Sequence, residues 1–235
     1  IVHQSKVRKL VLGNSIPTNC FRYLFRRKNF STVTTLGLTD DLNLRDIVVS
    51  KYLKQVRRFN VFYTSEGIAK STRRSFLKFP TLKALHIAQA DTEKFLKDSF
   101  DRIVHLLRCS LNIVFLTMNL NHSFQISKRP IQKIFELIGF MYHLKQLNFK
   151  FSIDSKTSLL EGGMKFGGNQ NINKSPTTID DTLLVLLGTS LSHLPNIQDV
   201  TLTFQNSDIT HQGYGNLGQE LALSKSLRSL KLDLN

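Results

Sequence analysis

The chain is poor in the residues on which small catalytic, metal-binding or disulfide-framed proteins depend. Two cysteines and five prolines occur in its 235 residues. Cys20 and Cys109 lie far apart in helix-like surroundings, and neither has a second Cys or His at metal-ligand spacing. Buried free thiols in a reducing compartment are therefore expected rather than a disulfide staple. No apolar run approaches the ~18 residues that a membrane-spanning helix needs. The opening Ile1-Val2-His3-Gln4 lacks the apolar core of a secretion signal. An intracellular chain, cytoplasmic by default, is expected. Catalytic patterns are missing as well. The glycine cluster from Glu161 to Gly168 invites a phosphate-loop reading, but it lacks the G-x-x-x-x-G-K-S/T order and does not run from a strand straight into a helix. The histidines are scattered: His86 falls on a strand, His105 and His143 on expected helices, His193 beside a helix end. With no nucleophile motif, carboxylate pair or metal cluster, neither enzymatic activity nor a cofactor is expected.

Negative charge is also scarce. There are 17 Asp and Glu against 32 Lys and Arg, a net charge of +15. The excess sits in one half. Residues 1–117 hold 21 basic against 8 acidic residues, a net of +13, while residues 118–235 hold 11 against 9, a net of +2. A basic half points to an acidic partner: nucleic acid, an acidic protein surface or anionic lipid.

What the chain has in quantity is aliphatic residues at recurring places. Segments with apolar residues at relative positions 1, 4 and 6 begin at Val7, Val33, Val56, Leu82, Ile113, Leu144, Ile197 and Leu227. With roughly a third of the chain Leu, Ile, Val, Met or Phe, about ten such triplets are expected by accident, so spacing carries the case. The steps are 26, 23, 26, 31, 31, 53 and 30 residues. Two of the segments, at Leu82 and Ile197, follow an apolar-proline pair, Phe79-Pro80 and Leu194-Pro195, that ends an expected helix. This pattern resembles the leucine-rich repeat family, and among its members the ribonuclease-inhibitor-like subclass, whose repeats are long and carry full helices.

The resemblance implies an α/β leucine-rich repeat solenoid, a curved parallel sheet inside with helices outside. Positions 1, 4 and 6 then face the interior, where burying each large side chain contributes roughly 1.5–3 kcal/mol. Alternate strand positions face the concave side. One repeat cannot bury its own core, so neighbours must stack. The ninth place, where the family favours Asn, reads Ser15, Asp41, Thr64, Ala90, Asn121, Ser152, Gln205 and Asn235, a poor asparagine ladder. Residues 1–235 are expected to form a single array, a fragment of a longer chain, with a flexible insertion at about 153–178 that accounts for the long step.

Between the strands, helices are expected with apolar stripes at helical spacing. One begins near Asp91, with Phe95, Leu96, Phe100, Ile103, Val104 and Leu107 as its apolar stripe. Another carries Pro130 in its first turn and buries Ile131, Ile134, Phe135 and Ile138. A third starts at Asp180-Asp181 and is apolar through Leu183, Leu184, Leu186, Leu187 and Leu191.

Two groups of partner-binding candidates follow. On the concave face these are Arg58, Asn60, Phe62, His86, Phe115, Asn119, Asn148 and Lys150, a mixed polar surface in which the two aromatics offer anchors. A basic surface on helices and their ends comprises Arg26, Arg27, Lys28, Lys51, Lys54, Arg57, Arg73 and Arg74. A solvated helix face is the alternative for this second group. The expected role is a non-catalytic protein–protein interaction scaffold, in one form a structural subunit of a large assembly, with an acidic partner. Two alternatives stand beside it: a nucleic-acid-associated subunit that uses phosphate contacts from the basic half, and the substrate-recognition repeats of a ubiquitin-ligase receptor.

Overall fold

The computed structural model describes residues 8–12, 33–39, 56–63, 81–89, 97–122, 128–153, 179–205 and 207–233. Eight strands lie in them: β1 (Lys9–Leu12), β2 (Thr35–Thr39), β3 (Arg58–Tyr63), β4 (Ala84–Gln89), β5 (Phe115–His122), β6 (Gln146–Ile153), β7 (Asp199–Gln205) and β8 (Ser229–Asp233). All are parallel, and their order in the sheet is their order in the sequence. Helices α1 (Lys97–Arg108), α2 (Lys128–Ile138), α3 (Asp181–Ser192) and α4 (His211–Ala222) lie between later strands and pack side by side in the same order. A parallel sheet wound in one direction, with helices returning the chain along one face, is a solenoid-like α/β arrangement.

The register follows the apolar spacing read from the sequence. Lys9, Thr35, Arg58, Ala84, Phe115, Gln146, Asp199 and Ser229 are partners across the sheet, so the steps are again 26, 23, 26, 31, 31, 53 and 30 residues. Slipping one strand by one residue would turn its apolar set outward, which is why the pattern fixes the pairing. Inward rows run straight across the strands: Leu36, Phe59, Leu85, Leu116, Leu147 and Val200 in one, Ile87, Met118, Phe149 and Leu202 in the next, all buried. Against them pack the helix stripes, Phe100, Ile103 and Leu107 from α1, Ile131, Ile134 and Phe135 from α2, Leu184, Leu187 and Leu191 from α3, Leu217 and Leu221 from α4. Phe149 joins the two layers, its ring 5.4 Å from that of Phe135 at 71° and 6.1 Å from that of Phe204.

One backbone motif recurs at all seven junctions. The carbonyl of the residue just before each strand accepts two successive amides of the next coil, at 2.8 to 3.2 Å. The acceptors are Arg8, Thr34, Arg57, Lys83, Val114, Lys145 and Gln198. In the turns that lead into the strands, polar side chains add further ties. Thr81 Oγ1 donates to the Val56 carbonyl at 2.9 Å, Asn196 Nδ2 to the Tyr142 carbonyl at 2.7 Å, and Ser226 Oγ to the Leu194 carbonyl at 3.2 Å. These three residues, each one place before an inward apolar residue, make side-chain bonds between successive coils.

The helix starts are tied sideways. Asp180 caps α3 by accepting from the Leu183 amide at 3.1 Å, and it also takes the ammonium of Lys128 at the start of α2. Burial pushes the Asp180 carboxyl up, but these hydrogen bonds outweigh it and hold the group below its ordinary value. Its neighbour Asp181 accepts from both the amide and the hydroxyl of Thr210, at 2.8 and 2.5 Å, and Thr210 caps α4. The expected insertion at about 153–178 lies outside the described residues save Ile153. After it the chain rejoins its neighbour through the parallel bridge of Asp180 with Asp208. His143, expected on a helix, sits instead in the turn that joins α2 to β6, because α2 ends at Ile138 and Gly139 opens the turn. No described helix is long and apolar enough to cross a membrane.

Candidate functional site

Among the described residues no helix packs on the face of the sheet opposite α1–α4, and the chemistry of that face follows from the two-residue period of the strands. Where positions 4 and 6 bury aliphatic and aromatic groups, the alternate positions 3, 5 and 7 form three outward rows. The first contains Lys9, Thr35, Arg58, Ala84, Phe115, Gln146, Asp199 and Ser229; the second runs through Asn60, His86, Thr117, Asn148, Thr201 and Lys231. The third includes Phe62, Ala88, Asn119, Lys150 and Thr203. All eight concave-face candidates therefore fall on one surface, in adjacent register positions. Arg58 and Asn148 are exposed, Asn60 and Lys150 half-buried, and of Phe62 only the backbone position is described. The Phe115 side chain is 46% exposed, a large apolar group facing solvent in the middle of the sheet. His86 lies between Asn60 and Thr117, and burial holds its imidazole below the ordinary value of 6.5. The Oδ1 of Asn119 is buried with no hydrogen-bond partner among the described residues.

Of the basic-surface candidates, Arg57 alone is described. Arg26, Arg27, Lys28, Lys51, Lys54, Arg73 and Arg74 lie outside the described residues. Arg57 is not on a helix but immediately before β3, exposed, at the place whose carbonyl binds two amides of the next coil.

That place holds a largely cationic row that the apolar count passed over. Across the eight strands it reads Arg8, Thr34, Arg57, Lys83, Val114, Lys145, Gln198 and Arg228. Arg and Lys fill five of the eight positions, and all five are exposed. The signal was available in the sequence as the residue after each first apolar position. It has no meaning until the strands are aligned, when it becomes a cationic edge along the strand starts. Two more exposed aromatics sit on the same rim, Phe140 and Tyr142, each 56% exposed in the turn that precedes Lys145.

Among the described residues, the strands where the cations gather carry no acidic group. The first six strands, with the apolar and lead-in residues before them, contain no Asp or Glu, and they carry Arg8, Lys9, Arg57, Arg58, Lys83, Lys145 and Lys150. The first carboxylates on strands are Asp199 and Asp233 in β7 and β8. No group of three or more His, Cys, Asp or Glu placed to hold a metal ion occurs among the described residues. Cys109 is half-buried, its Sγ 3.9 Å from His105 Nε2, on the far side of the sheet from this face.

The sequence matches no family model, and none of the curated proteins compared with it is a match.

Proposed function

We propose that the chain is a non-catalytic binding scaffold of the leucine-rich repeat kind, and that its partner is an acidic macromolecule held on the open face and the strand-start edge. The leucine-rich repeat reading is supported by eight sequential parallel strands and by residues at positions 1, 4 and 6 that are all buried in β4, β5, β6 and β7. A fold of this kind presents an extended surface rather than a cleft, which suits binding to another macromolecule. One observation carries the choice of partner: seven Lys and Arg on and beside the first six strands, with no Asp or Glu among them. A surface of one sign attracts and orients a partner of the other sign.

The test is charge reversal at exposed positions. Arg57→Glu, Lys83→Glu and Lys145→Glu in one chain should abolish co-purification of its partners at native abundance, with the melting temperature unchanged. A partner retained at full yield by this variant, or no stable macromolecular partner for the parent chain, would refute the proposal.

A further inference from the structure

We propose that the strand-start edge is a binding track for single-stranded nucleic acid, with phosphates following the cationic row and bases stacking on the exposed aromatics. This rests on the reading of the face as a site for an acidic partner, and it names the chemistry of that partner. The first support is periodicity. Arg8, Arg57, Lys83, Lys145 and Arg228 occupy one register position, each on a backbone segment fixed by hydrogen bonds to the neighbouring coil. With strands about 4.8 Å apart, the row places cations at roughly 10, 14, 24 and 34 Å from Arg8. A line of charge of that length matches a linear polyanion better than a compact acidic patch.

The second support is the position of the aromatic rings. Phe115 is one register place beyond the row, and its strand lies between those led in by Lys83 and Lys145. Tyr142 and Phe140 are exposed on the rim that leads to Lys145. Aromatic faces set within a cationic track are the recurring means of holding single strands, because every base offers a π-face whatever its sequence. An acidic protein would instead look for a clustered apolar pocket as its anchor. Around Phe115 the register neighbours are Ala84 and Gln146, and the next row offers Thr117 and Asn148. Those amides and hydroxyls can bond base edges, and they do not form an apolar pocket.

The experiment uses the 235-residue chain and a fluorescently labelled 20-nucleotide oligouridylate, with anisotropy read across a salt series. Each phosphate contact on a single strand adds a slope of about −0.7 to log K against log salt, so five cations predict a total slope of about −3.5. Lys83→Glu with Lys145→Glu should shallow that slope by about 1.4. Phe115→Ala should weaken binding about tenfold and leave the slope unchanged, since stacking carries no counterion release. Phe115→Leu, which keeps apolar bulk without the flat ring, should weaken binding too, and melting temperatures establish that each variant is folded. Duplex DNA or polyglutamate that binds as tightly as the oligouridylate at equal charge overturns the inference, as does full affinity in the Phe115 variants. If the oligouridylate fails to bind while the triple charge reversal still removes co-purified partners, this inference falls and the scaffold reading stands. Loss of both results removes the two together.

Discussion

The amide of Gln198 donates to the carbonyl of Lys145 at 2.8 Å, although Gln198 lies 53 residues further along the chain. The same bond at other junctions spans 23 to 31 residues. Coil closure is therefore set by register and not by the length of chain between strands, as expected when loop entropy grows only slowly with length.

A side-chain tie accompanies that junction. Asn196 Nδ2 donates to the Tyr142 carbonyl at 2.7 Å, linking two turns on the rim. Asn196→Ala should lower stability by about 0.5–1.5 kcal/mol in urea unfolding, because the exposed carbonyl recovers part of the bond from water. An unchanged midpoint would mean that the backbone pair at Lys145 holds the junction unaided.

Phe149 should behave as the keystone between sheet and helices. Its ring meets Phe135 of α2 edge to face and Phe204 of β7 at a tilt, and all three are buried. Phe149→Ala should cost roughly 3–5 kcal/mol through lost transfer energy and the cavity left behind. A cycle with Phe135→Leu and Phe149→Leu should give a coupling of about 0.5–1.5 kcal/mol from the ring pair. Additive losses would show that area burial accounts for both residues.

The inward positions of this fold are readable in the chain because the same physical demand recurs at each coil. Val33, Val56, Leu82, Ile113, Leu144 and Ile197 are each nearly inaccessible, so each had to be apolar, and counting them located the strands. The eight concave-face candidates followed from alternation alone. The cationic row is a different kind of feature. Arg8, Arg57, Lys83, Lys145 and Arg228 are interrupted by Thr34, Val114 and Gln198, and no local rule distinguishes them from ordinary surface charge until register aligns them. The tie from Asp181 to Thr210 joins residues 29 apart through helix starts, where sequence shows only two good capping residues. His143 was misplaced because a turn of Tyr, His and neighbouring apolar residues has the composition of a helix end.

Two groups give the fold a pH dependence with separate windows. His86 is held below 6.5 by burial, so the unfolded chain binds more protons than the folded one between 6.5 and the lower folded value. Stability should therefore decline as pH falls below 6.5, and then level off. Its register neighbours Asn60 and Thr117 do not titrate and cannot offset the effect. Asp180 is held below 3.8 by Lys128 and the Leu183 amide, after the opposing effect of burial. Its contribution is present above 3.8 and is lost as pH falls through the lower folded value. Urea midpoints at pH 7.5 and 5.5 should differ in the parent chain, and His86→Gln should narrow that difference. An equal difference in both chains would assign the effect to another group.

Two glycines of α4 should respond in opposite directions to the same substitution. A Cβ on Gly215 would meet nothing within 4 Å, so Gly215→Ala should gain up to about 1 kcal/mol from the lower backbone entropy of alanine. A Cβ on Gly213 would lie 2.1 Å from Asp181 Oδ1, the atom that accepts the Thr210 amide. Alanine there must displace the carboxylate that ties the start of α3 to the cap of α4, at a cost of roughly 1–3 kcal/mol. The cause is checked by repeating Gly213→Ala in an Asp181→Ala background. With the carboxylate gone there is no atom to displace, and the substitution should become neutral or slightly stabilising. The same loss in both backgrounds would place the strain in the helix backbone and not at Asp181.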